Sequence, residues 1–407
     1  MALTKVITGV TDLNQAQSTN GLKFPTGSVF AGTPEQGMIR NDQSQSSETS
    51  SSTMQFYNGT AWKNFVNKTP IPLGSDNFNT VLYTGNNGTQ SITGVGFQPD
   101  FTWIKARDNG SNNHALTDSV RGTGSGNGLS SNTTGAEGQY SAAYGYLSAF
   151  GTDGFTVQAG STSPNFVNSS SANYVAWNWK AGGAAVSNTD GTVTSQVSAN
   201  TAAGFSIVKY TGNGNNSTIG HGLSVAPDLI ITKGIDSVVG NTNWLVYNSI
   251  SGATGRMFLN LSLGFTIGST AYNDTEPTSS VFTIGTTGDI NGNGAAYIAY
   301  CFHSVAGYSK IGSYTGNGSA TGPIVTLGFE PAFVMIKRTD ATANWRILDN
   351  KRSTTNPINK ELYPPLSNAE GTFSALDFLS NGFQIINTDS SYNASGGTYI
   401  YMAFAAT

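Results

Sequence analysis

Three segments of the chain place a ring and two polar side chains at the same spacing. They read Trp345-x-x-x-Asp349-x-x-Arg352, His114-x-x-x-Asp118-x-x-Arg121 and Trp244-x-x-x-Asn248-x-x-Ser251. A ring beside carboxylate, amide or guanidinium groups can stack on a sugar and bind its hydroxyls, which indicates a surface pocket for a glycan or receptor. The other interpretation is an internal Asp–Arg pair that braces a loop while the ring packs in the core. Such a pair contributes ~0–1 kcal/mol if it is exposed.

A fourth segment, Asp289-x-Asn291-x-Asn293-Gly294, resembles the beginning of a calcium-binding loop. Such a loop directs alternate oxygen atoms at one ion and ends with a bidentate Glu. Tyr300 stands where that Glu should fall, in the middle of a strand-like run. We therefore predict a tight Asn-Gly turn before a strand, with no metal and no cofactor.

Catalytic patterns are scarce. The chain has no G-x-S-x-G, no H-E-x-x-H and no Walker lysine loop. His114, His221 and His303 stand at positions that do not correspond between segments, so we expect structural or solvent roles for them. Cys301 is the only cysteine, which excludes an intrachain disulfide, and its strand-like surroundings predict a buried apolar role. We predict that the protein is not an enzyme.

The composition predicts packed β-structure. Among 407 residues only 10% are charged, 37% are hydrophobic, 50 are Gly, and the net charge is -4. Few charges together with many β-branched, aromatic, Gly and Asn residues are typical of all-β proteins rich in turns. Lys and Arg are scattered without a basic stripe, which argues against nucleic acid as a partner. The chain also lacks the run of ~18 apolar residues that a membrane-spanning helix needs.

The chain is organised by a module that occurs three times. Each copy opens with Tyr-Thr-Gly-Asn, at Tyr83, Tyr210 and Tyr314. The Lys that ends the next long strand follows after 22, 23 and 23 residues (105−83, 233−210, 337−314). Each copy closes on an apolar run that begins at Tyr174, Tyr297 or Tyr399. The shared spacing predicts three copies of one fold.

Each copy reads as a β-sandwich, because short alternating runs are broken every 8 to 12 residues by Gly, Asn or Asp. Period two places Lys105 and Lys337 on the apolar face of their strands, where we expect them to reach solvent at the strand end. The closing run from Tyr399 to Phe404 is apolar on both faces, which predicts a central strand packed on each side. Modules this long are expected to be independent domains.

The predicted fold class is all-β, with tandem β-sandwich (jelly-roll-like) modules behind a small N-terminal β-hairpin attachment module. The predicted segments are an extended arm (1–22), a β-hairpin attachment and oligomerisation module (23–67), a linker (68–75), repeat 1 (76–180), a connector (181–203), repeat 2 (204–307) and repeat 3 (308–407).

The N-terminal segment carries a resemblance. Pro34-x-x-Gly37-Met38-Ile39-Arg40, a polar loop, and Phe56-Tyr57-Asn58-Gly59-Thr60-x-Trp62 resemble a small β-hairpin module of many bacteriophage tail-fibre and other virion proteins. Asn58-Gly59 between two apolar runs predicts a hairpin turn. The resemblance implies attachment to the virion through Pro34, Gly37, Ile39, Tyr57 and Trp62.

The repeats resemble Gly- and Asn-rich β-repeat proteins of marine and cyanobacterial phages, usually described as virion or tail-fibre-like proteins. The segments that carry the resemblance are residues 314–318, 328–337, 366–371 and 394–405. It implies a virion protein, located in the particle, with other virion proteins as partners. A tail fibre that forms a homotrimer and presents its distal modules to host-surface polysaccharide is the function we predict.

Two alternatives from other classes stay open. One is a capsid head fibre or decoration protein with a purely structural role. The other is a polysaccharide depolymerase, although such enzymes usually have long β-helical repeats with clustered acidic residues, which this sequence lacks.

Overall fold

A computed structural model describes residues 39–42, 53–57, 60, 62–64, 74–138, 142–162 and 165–405. The chain divides into two compact units, Met1–Pro70 and Ile71–Thr407. It is nearly all β, with 42% strand and 5% helix in several antiparallel sheets. The prediction of an all-β tandem sandwich fold is confirmed.

The described residues of the first unit form a three-stranded antiparallel sheet. Its strands are β1 (Ile39–Asp42), β2 (Thr53–Tyr57) and β3 (Trp62–Asn64), in the order β1-β2-β3. Tyr57 pairs with Trp62 across the position of the predicted hairpin turn. The predicted arm, Pro34, Gly37 and most of the linker lie outside the described residues.

Repeat 1 begins with the short helix α1 (Gly74–Asn77) and has two sheets. Its strands are β4 (Phe78–Thr84), β5 (Thr89–Thr93), β6 (Phe101–Ala106), β7 (Ala115–Asp118), β8 (Tyr146–Gly151), β9 (Gly154–Gln158) and β10 (Asn173–Trp179). The first sheet has the order β4-β10-β6-β7 and the second the order β5-β9-β8.

The connector adds two strands to repeat 2. They are β11 (Val186–Asn188) and β12 (Ser195–Asn200), and β12 pairs with β13 at the edge of the main sheet. The strands of repeat 2 are β13 (Phe205–Thr211), β14 (Ser217–Gly220), β15 (Leu229–Gly234), β16 (Leu245–Asn248), β17 (Gly255–Phe258), β18 (Thr266–Ile267), β19 (Val281–Ile284) and β20 (Ala296–Phe302), with helix α2 (Gly288–Asn291) before β20. The main sheet is β11-β12-β13-β20-β15-β16-β17-β18, and β14 pairs with β19 in the second.

Repeat 3 is a sandwich of two four-stranded sheets. Its strands are β21 (Ser309–Thr315), β22 (Ile324–Thr326), β23 (Pro331–Arg338), β24 (Arg346–Asp349), β25 (Ile358–Glu361), β26 (Gly371–Leu379), β27 (Gly382–Ile385) and β28 (Thr398–Ala405), with helix α3 (Ser390–Asn393) before β28. The orders are β21-β28-β23-β24 and β22-β27-β26-β25.

The same four-strand order recurs in the main sheet of every repeat: opening strand, closing strand, Lys-bearing strand, and a short strand. The closing strands β10, β20 and β28 are thus central, and nearly all of their residues are buried. This confirms the prediction that the closing run from Tyr399 to Phe404 packs on both faces.

The two faces of each closing strand serve two different cores. One face joins a local core between the two sheets of its own repeat, as Tyr174 and Ala176 do in repeat 1. The other face joins a single core shared by all three repeats. The residues that the closing strands contribute to the shared core are Val175, Trp177, Trp179, Ile298, Tyr300, Phe302, Ile400, Met402 and Phe404.

Aromatic rings from different repeats meet in this shared core. Phe78 of repeat 1 stacks on Phe404 of repeat 3 with ring centroids 4.9 Å apart. Phe101 of repeat 1 stacks on Tyr300 of repeat 2 at 4.3 Å. Such pairs add about 0.5–1.5 kcal/mol each beyond the burial of their area. The repeats are therefore not independent domains, because each depends on the others to bury one face of its main sheet.

Candidate functional site

The Asp-x-x-Arg motif of repeat 3 lies at the contact with repeat 1. Asp349 Oδ2 accepts from Arg352 Nε over 2.6 Å, and Oδ1 accepts from the backbone N–H of Lys351 and of Arg352. The indole Nε1 of Trp177, in repeat 1, donates to the same Oδ2 over 3.0 Å. The guanidinium of Arg352 lies over the Trp177 ring at 5.4 Å. The motif binds a side chain of another repeat.

Repeat 1 uses its own motif in the same way toward repeat 2. Asp118 Oδ2 accepts from Arg121 Nε over 2.5 Å and from the Tyr300 hydroxyl over 2.7 Å. Tyr300 occupies the position in β20 that Trp177 occupies in β10. A hydrogen-bond donor on one repeat therefore meets an Asp–Arg pair on the next.

Repeat 2 lacks the Asp–Arg pair. The closing strand of repeat 3 lacks the hydrogen-bond donor at the equivalent position. Asn248 Oδ1 accepts from the Ser251 backbone N–H over 2.8 Å, while Asn248 Nδ2 contacts the sulfur of Met257 at 3.3 Å. The third closing strand carries Met402 at the position of Trp177 and Tyr300, and a thioether has no N–H or O–H to donate. The acid and its donor are thus present or absent together.

The rings at the start of the three motifs also join repeats. Trp244 Nε1 donates to Ser130 O of repeat 1, and Trp345 Nε1 donates to Phe258 O of repeat 2, each over 2.8 Å. His114 Nε2 lies 3.0 Å from Tyr363 O and 3.1 Å from Leu366 O of repeat 3. The three contacts run from repeat 2 to 1, from 3 to 2 and from 1 to 3, and so close a ring.

Three backbone hydrogen bonds join the repeats in the same cyclic order. Each joins an N–H of one repeat to the carbonyl two residues after the Lys of another. The bonds are Glu137 N to Ile235 O (3.0 Å), Phe265 N to Thr339 O (2.7 Å) and Glu370 N to Arg107 O (2.6 Å). Side-chain and backbone bonds therefore agree on one cyclic arrangement of repeats.

These positions correct the prediction of a surface pocket for sugar. All eight residues proposed for it are buried, and the most exposed is Arg121 at 8%. The residues are Trp345, Asp349, Arg352, Trp244, Asn248, His114, Asp118 and Arg121. A sugar at the surface of this unit cannot reach side chains that the neighbouring repeat covers. The alternative interpretation, an internal Asp–Arg pair beside a core ring, describes Asp349–Arg352 and Asp118–Arg121.

The expectation that Lys105 and Lys337 reach solvent is a second correction, and the equivalent Lys233 is buried as well. Lys105, Lys233 and Lys337 are each 0% exposed. Lys233 Nζ donates to Thr134 O of repeat 1 and to Thr242 O, and Lys337 Nζ donates to Ser262 O of repeat 2. Burial lowers the pKa of Lys105 and Lys233 to about 7 and the pKa of Lys337 to about 8. The ammonium groups are held by carbonyl oxygens at or near the joints between repeats.

Sequence reasoning missed a buried Asn that holds each opening turn. Asn168, Asn291 and Asn393 are 0% exposed and stand six residues before the closing Tyr. Each accepts at Oδ1 from the backbone N–H of the Asn in the opening Tyr-Thr-Gly-Asn, over 2.9, 2.8 and 2.7 Å. The constant six-residue spacing was the signal that could have revealed them.

A second missed residue is the Asp three positions after each Lys. Asp108, Asp236 and Asp340 each accept from the backbone N–H of the residue before the closing Tyr, over 2.9, 2.7 and 3.2 Å. They fasten the end of the Lys-bearing strand to the start of the closing strand. Their recurrence at Lys plus three is visible in the sequence.

The segment that resembled a calcium loop is a turn at helix α2. Asp289 Oδ1 accepts from Asn243 N over 2.9 Å, and Asn291 holds the opening turn of repeat 2. Cys301 is buried, and burial raises the pKa of its thiol. Within the part of the chain that the structure describes, no three His, Cys, Asp or Glu residues come together as a metal site.

An open polar cleft of about 470 Å³ lies beside the connector. Its lining includes Asp100, which is buried, together with Asn200 and the exposed Gln98 and Lys180. Asp100 Oδ2 accepts from Ala181 N over 2.8 Å, so the carboxylate fixes the start of the connector. The exposed amide and ammonium groups could bind hydroxyl groups of a ligand.

The fold and these contacts define an all-β protein whose three sandwich repeats are bonded around one core. A family model described as a domain of unknown function (DUF7483) matches residues 73–407, and the chain belongs to this family. A search of curated proteins finds no match to the chain. Among the described residues, no helix is long and apolar enough to cross a membrane.

Proposed function

We propose that the protein is a structural component of a bacteriophage particle, most specifically a tail fibre, and that it is not an enzyme. The observation that carries the proposal is the internal use of the repeated polar residues. The Asp–Arg pairs, the ring positions and the lysines are bonded within and between repeats, where they join three sandwiches around one core. A unit built in this way suits a mechanical, water-facing part that must stay folded outside the cell.

The N-terminal unit is the proposed attachment module. Its described strands form only a three-stranded sheet, and a sheet this small is marginal alone. Docking on another virion protein, or association into a homotrimer, would supply the missing burial. Ile39, Tyr57 and Trp62 lie in the three strands, which is compatible with a role in attachment.

Host-surface recognition is the second element of the proposal. The buried motif residues are excluded from it, so recognition is assigned to exposed polar surface of the repeats. The cleft with Gln98 and Lys180 is one such surface. Replacing both residues by Ala should weaken adsorption of the phage to host cells, whereas Lys351→Ala, at an exposed position in repeat 3, should not.

The proposal is tested on particles of the phage that encodes the chain. Mass spectrometry of gradient-purified particles should detect the protein, and gold-labelled antibodies against residues 71–407 should mark the tail. Deletion of residues 1–67 should remove the label, while Lys310→Ala in the full chain should keep it. Label at the capsid would favour the head-fibre alternative, and absence from particles would refute a virion role.

Release of reducing sugar from host polysaccharide tests the enzyme alternative. We expect purified full-length protein to release none above a buffer control. Release that scales with protein concentration would overturn the assignment as a non-enzyme and favour a depolymerase.

A further inference from the structure

The contact between repeats 1 and 3 differs from the other two contacts of the ring. Repeats 1 and 2, and repeats 2 and 3, are consecutive in the chain, whereas repeats 1 and 3 are its first and last. Opening this contact therefore does not separate two repeats that follow each other directly in the chain. The loop of residues 363–370 from repeat 3 forms much of it, since it accepts bonds from His114 and Ser131 and pairs with Arg107 through Glu370.

His114 is the one member of its set that can change charge in mild acid. The equivalent residues, Trp244 and Trp345, use an indole N–H that does not titrate. His114 is 0% exposed and receives a hydrogen bond at Nδ1 from Trp103 Nε1 over 2.8 Å. Its proton is thus on Nε2, which donates to the carbonyls of Tyr363 and Leu366. Both ring nitrogens are committed in the neutral form.

A second proton on His114 would have to bind at Nδ1, which accepts from Trp103 Nε1. Protonation at Nδ1 would set an N–H against the Trp103 N–H, which can only donate. Lys105 on β6 and Arg352 of repeat 3 are cations that act on the ring and oppose a positive charge there. Glu370, a carboxylate of this contact, is already paired with Arg107 and Arg352. The closed contact therefore disfavours the imidazolium.

We propose that the contact between repeats 1 and 3 is an acid-sensitive latch, in which protonation of His114 releases the loop of residues 363–370 while the other two contacts stay closed. Burial, and to a lesser extent Lys105, lowers the pKa of His114 from 6.5 to about 3. When the contact opens, the His114 imidazole regains its ordinary pKa. The open form therefore binds the proton more tightly than the closed form. The effect of pH on opening grows as pH falls below 6.5 and reaches its full size near the lower pKa.

Three equivalent backbone amides provide the measurement. Glu370 N–H bonds across the latch, whereas Glu137 N–H and Phe265 N–H bond across the other two contacts. Hydrogen exchange of the full chain is followed at pH 7 and pH 5, with each rate divided by its intrinsic rate at that pH. The linkage predicts roughly 25-fold faster relative exchange at Glu370 at pH 5 than at pH 7. The amides of Glu137 and Phe265 should not change.

Two variants separate the latch from general acid sensitivity. His114→Gln keeps an acceptor for Trp103 and a donor for the carbonyls but cannot be protonated, so Glu370 should stay protected at pH 5. His221→Gln removes a buried imidazole of repeat 2 that bonds only within its repeat, and the Glu370 response should persist. Equal acid effects at all three amides, an unchanged Glu370 amide in the wild type, or a persistent response in His114→Gln would each overturn the proposal.

Discussion

Trp177 in repeat 1 and Asp349 in repeat 3 are 172 positions apart in the chain and are joined by a 3.0 Å hydrogen bond inside the shared core. The carboxylate receives this bond beside an ion pair with Arg352, and neither side chain of that pair is exposed. An acid in this setting requires all of its donors, because a buried charge that loses a partner destabilises the fold. The bond ties the first and last repeats together.

Trp177→Phe should therefore destabilise the protein more than Trp179→Phe. Both indoles are buried in the shared core, but Trp179 Nε1 makes no hydrogen bond among the described residues. Removal of the Trp177 donor should cost about 1–3 kcal/mol more, because it leaves Asp349 short of a partner. Urea unfolding of the two variants measures the difference, and equal losses would contradict a stabilising role for the bond.

Gly316→Ala should destabilise the opening turn of repeat 3. A Cβ at this position would lie 2.3 Å from Ala394 O, which is backbone and cannot rotate away. We expect a loss of about 1–3 kcal/mol in the free energy of unfolding. Gly88→Ala, after the equivalent turn of repeat 1, would meet only Asn86 Oδ1 at 3.5 Å and should be nearly neutral. Thermal unfolding that does not distinguish the two variants would argue against close packing at Gly316.

Stability should rise with pH between about 7 and 9. Folding lowers the pKa values of Lys105 and Lys233 from 10.5 to about 7 and that of Lys337 to about 8, because the amines are buried. Between these values and 10.5 the three lysines bind more protons in the unfolded chain than in the folded chain, so their contribution to the free energy of unfolding increases with pH. Urea midpoints at pH 7 and pH 9 test this expectation. Nearer pH 10 the increase should be offset, because burial raises the pKa of Cys301 and of tyrosines such as Tyr210.

A matched pair of substitutions assigns that pH dependence. Lys233→Met should reduce the slope by about one third, since one of three equivalent amines is removed. Lys351→Met, at an exposed position, should leave the slope unchanged. A stability that falls over the same range in the wild-type protein would contradict the assignment.

The sequence predicted much of the fold because local patterns encode it. The alternation at Phe101 and Trp103 gave a strand, and the apolar run that begins at Tyr399 gave a central strand with both faces buried. The spacing between repeats predicted three copies of one sandwich. These features depend on residues close in sequence, where period and spacing are informative.

The packing of one repeat on another was not predicted, because it depends on pairs far apart in sequence. The partner of Asp349 is Trp177, and nothing near either residue indicates the other. Lys337 was expected at the surface because a strand end usually reaches solvent, yet Ser262 O of repeat 2 meets its ammonium group. The second apolar face of the closing strand was the available hint that another layer covers it.

The three repeats close around one core, and small-angle X-ray scattering of residues 71–407 tests this closure most directly. A single compact unit of this size should have a radius of gyration of about 20 Å. The structure predicts that value, with one maximum in the distance distribution. A clearly larger radius, with a distribution extended as for three modules in a row, would contradict the closed arrangement.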